Sequence, residues 1–249
     1  MLELNRISAG YGKQTVLDGI SVDFEKGKLT SIIGVNGCGK STLLKAILGI
    51  LSLSSGEIFI DGENLLTISR NEIAKKIAYL SQGKNIPDMT VEQMVLHGRF
   101  PYLSYPRRYS SHDREVAIKA MEAVGIAEFA HKPLYSLSGG MRQNAYIAMA
   151  LAQDTDYILL DEPTTYLDIA HQLELMRILR KLADSGKGIV AVMHNLPIAF
   201  DFSDKLTVMS NGKIIAYGTP SEICESHIVE DIFGVKIKQV QKGKYLYEY

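Results

Sequence analysis

The segment "GVNGCGKST", residues 34–42, combines the residue types that bind phosphate. Its three glycines let the backbone curl so that several N–H groups converge on phosphate oxygens. Lys40 brings a positive charge to β and γ phosphates, and the Ser41 hydroxyl is a ligand type that Mg²⁺ accepts. The residues that this pattern places around the phosphates are Asn36, Gly37, Cys38, Gly39, Lys40, Ser41 and Thr42. A glycine turn without a ligand is the alternative, and the strand before the turn and the helix after it favour phosphate.

Two acids and a histidine follow apolar runs further along the chain. "YILLDEP" ends in Asp161 and Glu162, and "IVAVM" precedes His194. An acid at a strand end beside the glycine loop reaches the magnesium shell, which suits Asp161. Glu162 suits a general base that polarises a water for attack on the γ phosphate. Each residue alone is more typical of a solvated or hydrogen-bonded strand end, but beside the loop they predict γ-phosphate chemistry, with His194 in contact with that phosphate.

The elements that must position these residues form an α/β pattern. "KLTSIIG" predicts a buried strand that enters the glycine loop, and "KSTLLKAILG" predicts the helix that leaves it. "GEIFIDG", "KIAYLSQ" and "GIVAVMHN" predict further strands, and "KLTVMSNGKIIAYG" predicts a hairpin that turns at Asn211 and Gly212. The spacing of Thr90 and Gln93 predicts a capping box that opens a helix.

The distribution of strands predicts how the chain is organised. We predict a single α/β domain over residues 1–249, whose nucleotide-binding core comprises residues 1–83 and 151–249. The core has a mixed sheet with flanking helices and an antiparallel β portion. Residues 84–150 are poor in strands and form a helical insertion.

Composition excludes several classes of protein. The net charge of the 249 residues is −1, which argues against a nucleic-acid partner bound through bulk positive charge. The two cysteines give no disulfide framework, and Cys38 is better explained as a small residue that fills the glycine loop than as a reactive thiol. We see no signal peptide and no apolar run long enough to cross a membrane. We therefore expect a cytoplasmic protein that depends on another chain for any membrane span.

A second glycine segment, "SLSGGMRQNAY", lies about a hundred residues after the first. Ser138, Gly139 and Gly140 precede a helix-like run, and free N–H groups at a helix start suit an anion. One nucleotide site does not need two such segments.

Several ordered motifs together resemble the ATP-binding subunit of an ATP-binding-cassette (ABC) transporter. They are "GVNGCGKST", "YLSQ", "LSGG", "YILLDEP", "YLD" and "MHN", and the resemblance covers nearly the whole chain. It implies the P-loop ABC fold, ATP hydrolysis, and Mg²⁺ held by Ser41, Asp161 and Gln82. Gln82 would also approach the attacking water, and Tyr11 would stack on adenine, although an exposed loop tyrosine is the alternative.

The resemblance also explains the second glycine segment. Two such subunits pack head to tail, so that Ser138, Gly139, Gly140 and Asp168 of one chain complete the ATP site of the other. The implied partners are a second ATP-binding subunit, a transmembrane permease, and an extracytoplasmic substrate-binding protein that acts through the permease at the cell membrane. The chain departs from the commonest family pattern at Met141 and Asn144, and we expect altered dimer properties there rather than lost activity.

The segments "MTVEQMVLHGRFPYLS" and "LDEPTTYLDIAHQLELM" resemble importer subunits for iron–siderophore, haem or cobalamin uptake. From this resemblance we expect an iron chelate, with cobalamin and haem as alternatives. The alternatives stay open because the family's ATP-binding subunits do not touch the cargo. The segment around Arg99, Arg107 and Arg108 either docks the permease or is a solvated basic loop. The other five histidines, His97, His112, His131, His171 and His227, lack metal-ligand spacing and are interpreted as surface or structural residues.

Rival classes remain open. A non-transport ABC ATPase that acts on nucleic acid or on iron–sulfur proteins often has two cassettes or a long coiled coil, whereas this chain has one cassette and no sustained heptads. A kinase would leave "LSGG" without a role, and the guanine-reading motif of a GTPase is absent.

Overall fold

Two hydrophobic patterns give two kinds of strand. Alternating residues such as Ile20, Val22 and Phe24 bury one face of an antiparallel strand, whereas the run "YILLD" gives a strand that is buried on both faces. The computed structural model describes residues 1–81, 83, 86–241 and 243–248. In chain order its strands are β1 (Leu2–Tyr11), β2 (Gln14–Phe24), β3 (Leu29–Gly34), β4 (Leu53–Ile60), β5 (Glu63–Asn64), β6 (Ile77–Leu80), β7 (Tyr157–Asp161), β8 (Gly188–Val192), β9 (Lys205–Ser210), β10 (Lys213–Gly218), β11 (Lys236–Gln241) and β12 (Lys244–Glu248).

Most of the described helices begin at polar residues whose side chains cap their first N–H groups. Thr90 and Gln93 form the predicted capping box, and Ser110 and Asp113 form another. The helices are α1 (Lys40–Ile47), α2 (Arg70–Lys76), α3 (Val91–Leu96), α4 (Ser111–Ala123), α5 (Gly139–Ala152), α6 (Ile169–Asp184), α7 (Leu196–Phe202), α8 (Pro220–Glu225) and α9 (Ile228–Phe233). Within the described ranges, none of these helices has the length and apolarity that a membrane crossing requires.

The described strands form a central mixed sheet, a separate four-stranded antiparallel sheet and a two-stranded antiparallel sheet of β11 and β12. The central sheet has the order β10-β9-β3-β8-β7-β6, and β9, β3, β8, β7 and β6 run parallel. The antiparallel sheet has the order β2-β1-β4-β5. The hairpin between β9 and β10 turns at Asn211 and Gly212, as predicted. These sheets with their flanking helices confirm the predicted fold class.

Parallel pairing brings three strand ends to one edge of the central sheet. Asp161 at the end of β7 pairs with Val192 at the end of β8, and Val192 also pairs with Ile32 of β3. The segments that leave these strands carry the glycine loop, Glu162 and His194. Because carboxyl ends of parallel strands meet at the same edge, residues that are far apart in sequence become neighbours there.

Helices α3, α4 and α5 pack on one another and share a hydrophobic core with one face of the central sheet. A second core lies between the antiparallel sheet, α1 and the other face. The proposed helical insertion of residues 84–150 covers these three helices except for the end of α5. Within it the segment His97–Tyr102, which the sequence suggests is a loop, forms a 3₁₀ helix.

Arg99 is neither a docking residue nor part of a solvated loop, so the interpretation from sequence was wrong for this residue. Its side chain is buried, and its Nε donates a hydrogen bond to Oδ1 of Asp113 at 2.9 Å. Its Nη1 donates to the carbonyl oxygen of Ala152 at 3.0 Å. The guanidinium therefore ties the 3₁₀ helix to the start of α4 and the end of α5. Arg107 and Arg108 of the same segment remain exposed.

Loss of the Arg99 guanidinium should destabilise the fold strongly. In Arg99→Met the Asp113 carboxylate stays buried without its charged partner, so we expect the free energy of unfolding to fall by about 3–5 kcal/mol in urea titrations at pH 7. Arg108→Met, a matched change at an exposed position, should alter it by less than about 0.5 kcal/mol. Equal unfolding free energies for the two variants would contradict the structural role of Arg99.

The same ion pair predicts a dependence on pH. Burial favours the neutral acid, but hydrogen bonds from Ser110 and Arg99 lower the pKa of Asp113 from 3.8 to about 2. Because the folded-state pKa is depressed, this stabilisation is complete above pH 4 and is lost as the pH falls toward 2. The difference in unfolding free energy between wild type and Arg99→Met should therefore shrink over that interval.

Candidate functional site

The glycine loop after β3 borders an open cavity of about 160 Å³, which we call the phosphate cavity after the ligand that the sequence predicts for it. Gly39 ends the loop with a φ of 108°, a conformation that strongly favours glycine. A Cβ on Gly34 would lie 2.4 Å from the carbonyl oxygen of Met209, so the loop also needs glycine for close packing. Cys38 is buried, which agrees with its role as a small filling residue. The residues that line the cavity are Val16, Asn36, Gly37, Gly39, Lys40, Ser41, Thr42 and Glu162.

Lys40 is held over the loop by backbone carbonyls. It is the first residue of α1 and only 6% exposed, and its Nζ donates to the carbonyl oxygens of Gly34 at 2.8 Å and Val35 at 3.1 Å. A buried ammonium is stable only with such partners or with an anion. Its position at the helix start, where the N–H groups also favour negative charge, suits it to a phosphate.

Asp161 is held through both of its oxygens. The Ser41 hydroxyl donates to Oδ1 at 2.9 Å, and the Tyr79 hydroxyl donates to Oδ2 at 3.3 Å. Burial raises the pKa of Asp161, while the bond from Ser41 opposes this rise. The hydroxyl and carboxylate oxygens of Ser41 and Asp161 are the hard ligands that Mg²⁺ prefers, so the residues present fit that ion.

Glu162 follows Asp161 in a left-handed conformation with a φ of 53°. Such backbone strain in a residue other than glycine is common at functional sites. Its Oε1 lies 2.6 Å from Nε2 of His194, and the Thr165 hydroxyl donates to its Oε2 at 3.1 Å. Burial opposes ionisation, but these contacts and the charge of Lys40 hold the pKa of Glu162 below its usual value. An ionised carboxylate in this position can accept a proton from a water beside the phosphate cavity.

The second glycine segment does not reach this cavity. Ser138 is the N-cap of α5, and its Oγ accepts a hydrogen bond from the backbone N–H of Met141 at 3.3 Å. Ser138 and Gly139 are exposed, and none of the residues 138–140 is among those that line the phosphate cavity. Asp168 is the N-cap of α6 and is also absent from that lining. The two glycine segments therefore lie at separate places in one chain.

The structure brings together most of the predicted site residues. Lys40, Ser41 and Glu162 line the cavity at the glycine loop, Asp161 bonds to Ser41, and His194 contacts Glu162. Tyr11 lies at the end of β1 and is 49% exposed, which suits either of its two interpretations. Gln82 lies outside the described residues.

Sequence reasoning missed two residues that contact the acids. Tyr79 bonds to Asp161, and its place three residues before Gln82 in "YLSQ" was the signal that could have identified it. Thr165 bonds to Glu162, and it follows three residues after it, which is the spacing of a turn.

The two departures from the family pattern face into the fold. Met141 is partly buried and packs against the helical core. The side-chain amide of Asn144 donates to the carbonyl oxygen of Val124 at the end of α4, at 3.2 Å. Both residues therefore connect α5 to its neighbours.

A glycine loop between a parallel strand and a helix, with an acid pair and a histidine at adjacent strand ends, is typical of a P-loop NTPase. The family model "ABC transporter" matches residues 17–165. The chain belongs to the ABC transporter family and is its ATP-binding, ATP-hydrolysing component.

Relatives and solved structures agree with this assignment. The chain is 41% identical to the petrobactin import ATP-binding protein FpuD of Bacillus anthracis, over 93% of this chain and 86% of that protein. It is 41% identical to the ferric enterobactin transport ATP-binding protein FepC of Escherichia coli (strain K12), over the same shares. An inward-facing putative metal-chelate type ABC transporter matches with 27% identity and a TM-score of 0.85, over 100% of this chain and 97% of that chain. A dimeric post-hydrolysis structure of the cassette MJ0796, bound to ADP and Pi, matches with 27% identity and a TM-score of 0.74, over 88% and 99%.

Removal of the Glu162 charge should separate ATP binding from hydrolysis. In Glu162→Gln we expect the ATPase rate to fall by at least about 100-fold, because the amide cannot accept a proton from water. Binding of ATP should persist, since Lys40 and the loop N–H groups are intact. Steady-state phosphate release and equilibrium ATP binding measure the two effects.

Glu174→Gln is the matched control, because Glu174 is exposed on α6. Its ATPase rate should equal that of the wild type. If Glu162→Gln hydrolyses ATP at a rate close to that of this control, Glu162 is not the general base.

Proposed function

We propose that this chain is the ATP-hydrolysing subunit that powers import of a ferric siderophore through a separate membrane permease. Two copies sandwich two ATP molecules, so that each site uses the phosphate loop of one chain and the Ser138–Gly140 turn of the other. We infer this dimer mainly from one observation, that the two proposed anion-binding motifs lie apart within one chain.

The chemistry of each site follows from the residues around the phosphate cavity. Lys40 neutralises charge on the β and γ phosphates and orients them. Ser41 and Asp161 hold Mg²⁺, which when bound supplies charge neutralisation on the phosphates. Glu162 accepts the proton of the attacking water, and His194 contacts both Glu162 and the γ phosphate. Tyr11 stacks on the adenine, and Gln82 joins the shell around the ion and the water.

The second chain completes the site with N–H groups and a hydroxyl. The first N–H groups of α5 have no acceptor within the helix, and the helix dipole favours negative charge at this end. Ser138 and Gly139 are exposed, so they are accessible to the γ phosphate of a facing chain. Asp168 lies in the turn that crosses between the two chains. Hydrolysis and phosphate release remove the γ phosphate that both chains contact, so the nucleotide controls whether the dimer is closed.

We further propose that the permease docks beside Gln82. A groove of about 280 Å³ with mainly apolar walls is lined by Ser81 and Gly83, the two neighbours of Gln82 in the sequence. Its lining residues are Tyr79, Leu80, Ser81, Gly83, Pro87, Met94, Gln143, Tyr146 and Met149. A short cytoplasmic helix of the permease fits such a groove. Exposed aromatic residues of the neighbouring segment, Phe100 and Tyr105, extend the surface that is available to this partner.

The choice of cargo rests on the relatives. Proteins named for petrobactin import and ferric enterobactin transport match over nearly the whole chain, and the second name denotes an iron chelate. Haem and cobalamin import are less favoured, and so is a non-transport role. In this scheme an extracytoplasmic binding protein delivers the chelate to the permease, and this subunit acts at the cytoplasmic face.

Uptake of labelled cargo tests the proposal. A strain that lacks this chain but retains the permease should take up ⁵⁵Fe-loaded siderophore at background level, and wild-type protein should restore uptake. Glu162→Gln should fail to restore it although it binds ATP, whereas Glu174→Gln should restore it fully. Labelled haem and cobalamin should enter at the same rate in all strains. Dependence of haem or cobalamin uptake on this chain, with siderophore uptake unaffected, would overturn the proposed cargo.

A further inference from the structure

The two glycines of the Ser138–Gly140 turn have different surroundings. A Cβ added to Gly139 meets no atom within 4 Å. A Cβ added to Gly140 would lie 2.1 Å from Cδ2 and 2.7 Å from Nε2 of His171. Neither glycine has a positive φ among the described residues, so backbone conformation does not require glycine at either position. Only at residue 140 does the packing of this chain exclude a side chain.

The His171 ring that covers Gly140 is itself fixed. Its Nδ1 lies 2.8 Å from Oδ1 of Asp168, and the same oxygen accepts a hydrogen bond from the His171 backbone N–H at 2.9 Å. Asp168 is the N-cap of α6. The ring therefore cannot rotate away from Gly140 without losing its contact with the cap of its own helix.

The next residue of α6 fixes the turn that precedes the helix. Nε2 of Gln172 donates to the carbonyl oxygens of Leu167 at 2.9 Å and Thr164 at 3.3 Å. The start of α6 thus contacts two segments. Gln172 and Asp168 hold the turn of residues 164–168, and His171 packs against the first turn of α5. Both segments face the partner chain in the proposed dimer.

We propose that His171 is a positioning residue for the ATP site that two chains share. Its imidazole, anchored on Asp168 and packed on Gly140, sets the separation between the Ser138–Gly140 turn and the 164–168 turn. This contact also explains why residue 140 must be glycine. At residue 139 no atom of the same chain requires glycine, so any requirement there comes from the partner chain and its nucleotide. The inference rests on the proposed function, because the separation matters only if both turns reach the same nucleotide.

A double-mutant cycle tests this inference. Gly140→Ala is introduced into the wild-type chain and into His171→Ala, and the ATPase rate of each full-length protein is measured at saturating ATP. In the wild-type background the new methyl displaces the ring, and we expect a loss of about 100-fold, the cost of a misplacement of about 1 Å at an active site. In the His171→Ala background the three atoms nearest to the methyl are gone and it occupies the space of the ring, so the further loss should be no more than about twofold.

Three additional variants make the cycle specific. Gly139→Ala should cost the same factor in both backgrounds, because no part of His171 lies near that position. His171→Asn keeps a flat amide at the place of Nδ1 and should retain more activity than His171→Ala. ATP binding to each isolated chain should be unchanged, since the phosphate loop is untouched, so the loss should appear in turnover and not in binding. An equal cost of Gly140→Ala in both backgrounds would overturn the inference.

Folding and the proposed function are checked separately. The same cycle is read as thermal unfolding midpoints, and His171→Ser provides a second short side chain if His171→Ala does not fold. Coupling that appears only in unfolding and not in turnover would reduce His171 to a structural residue. The sedimentation coefficient of Glu162→Gln in the presence of ATP, with residues 140 and 171 unchanged, reports dimer formation and tests the shared site itself. Failure to dimerise there would refute the proposed function, whereas a normal dimer without coupling in the cycle would refute only the role of His171.

Discussion

The site depends on the parallel pairing of β3, β8 and β7. This pairing brings Ile32, Val192 and Asp161 to one level, so the segments that follow place Lys40 and Glu162 at one cavity and His194 against Glu162. A shift in register by one residue would turn the acid away from the phosphate loop. The residues of these strands are buried on both faces, so the strands lie inside the core and only their carboxyl ends meet the cavity. The hydrophobic core therefore supports the edge of the sheet at which the polar residues are placed.

The polar groups at this edge are stabilised by one another and by the loop backbone. Lys40 is held by two carbonyl oxygens, Asp161 by two hydroxyls, and Glu162 by His194 and Thr165. This preorganisation keeps the cation that binds phosphate and the carboxylate that accepts a proton in place before a nucleotide binds. In the proposed dimer, the helix start at Ser138 of a second chain meets the remaining electrostatic requirement from outside the cavity. Catalysis and dimer formation would thereby be linked through the same ATP.

The sequence predicted the elements whose signals are local. The phosphate loop, the capping box at Thr90 and the hairpin at Gly212 follow from residues that are close together in the chain. The burial of Arg99 could not be predicted, because its partner belongs to another helix and its own segment has no hydrophobic period. The different surroundings of Gly139 and Gly140 could not be predicted either. They depend on the ring of His171, which is 31 residues after Gly140 in the chain. Tertiary contacts, and not local pattern, decide such cases.

The central claim is that one ATP site contains residues of two chains, and mixing two inactive variants tests it most directly. Lys40→Ala lacks the phosphate-loop cation, and Ser138→Arg blocks the second turn, so neither should hydrolyse ATP alone. In an equal mixture about half of the dimers are mixed, and each mixed dimer has one site in which both motifs are intact. The mixture should therefore recover about one quarter of the wild-type ATPase rate per chain if the two sites act independently. A mixture that stays as inactive as its components, although dimers form and exchange, would contradict the account.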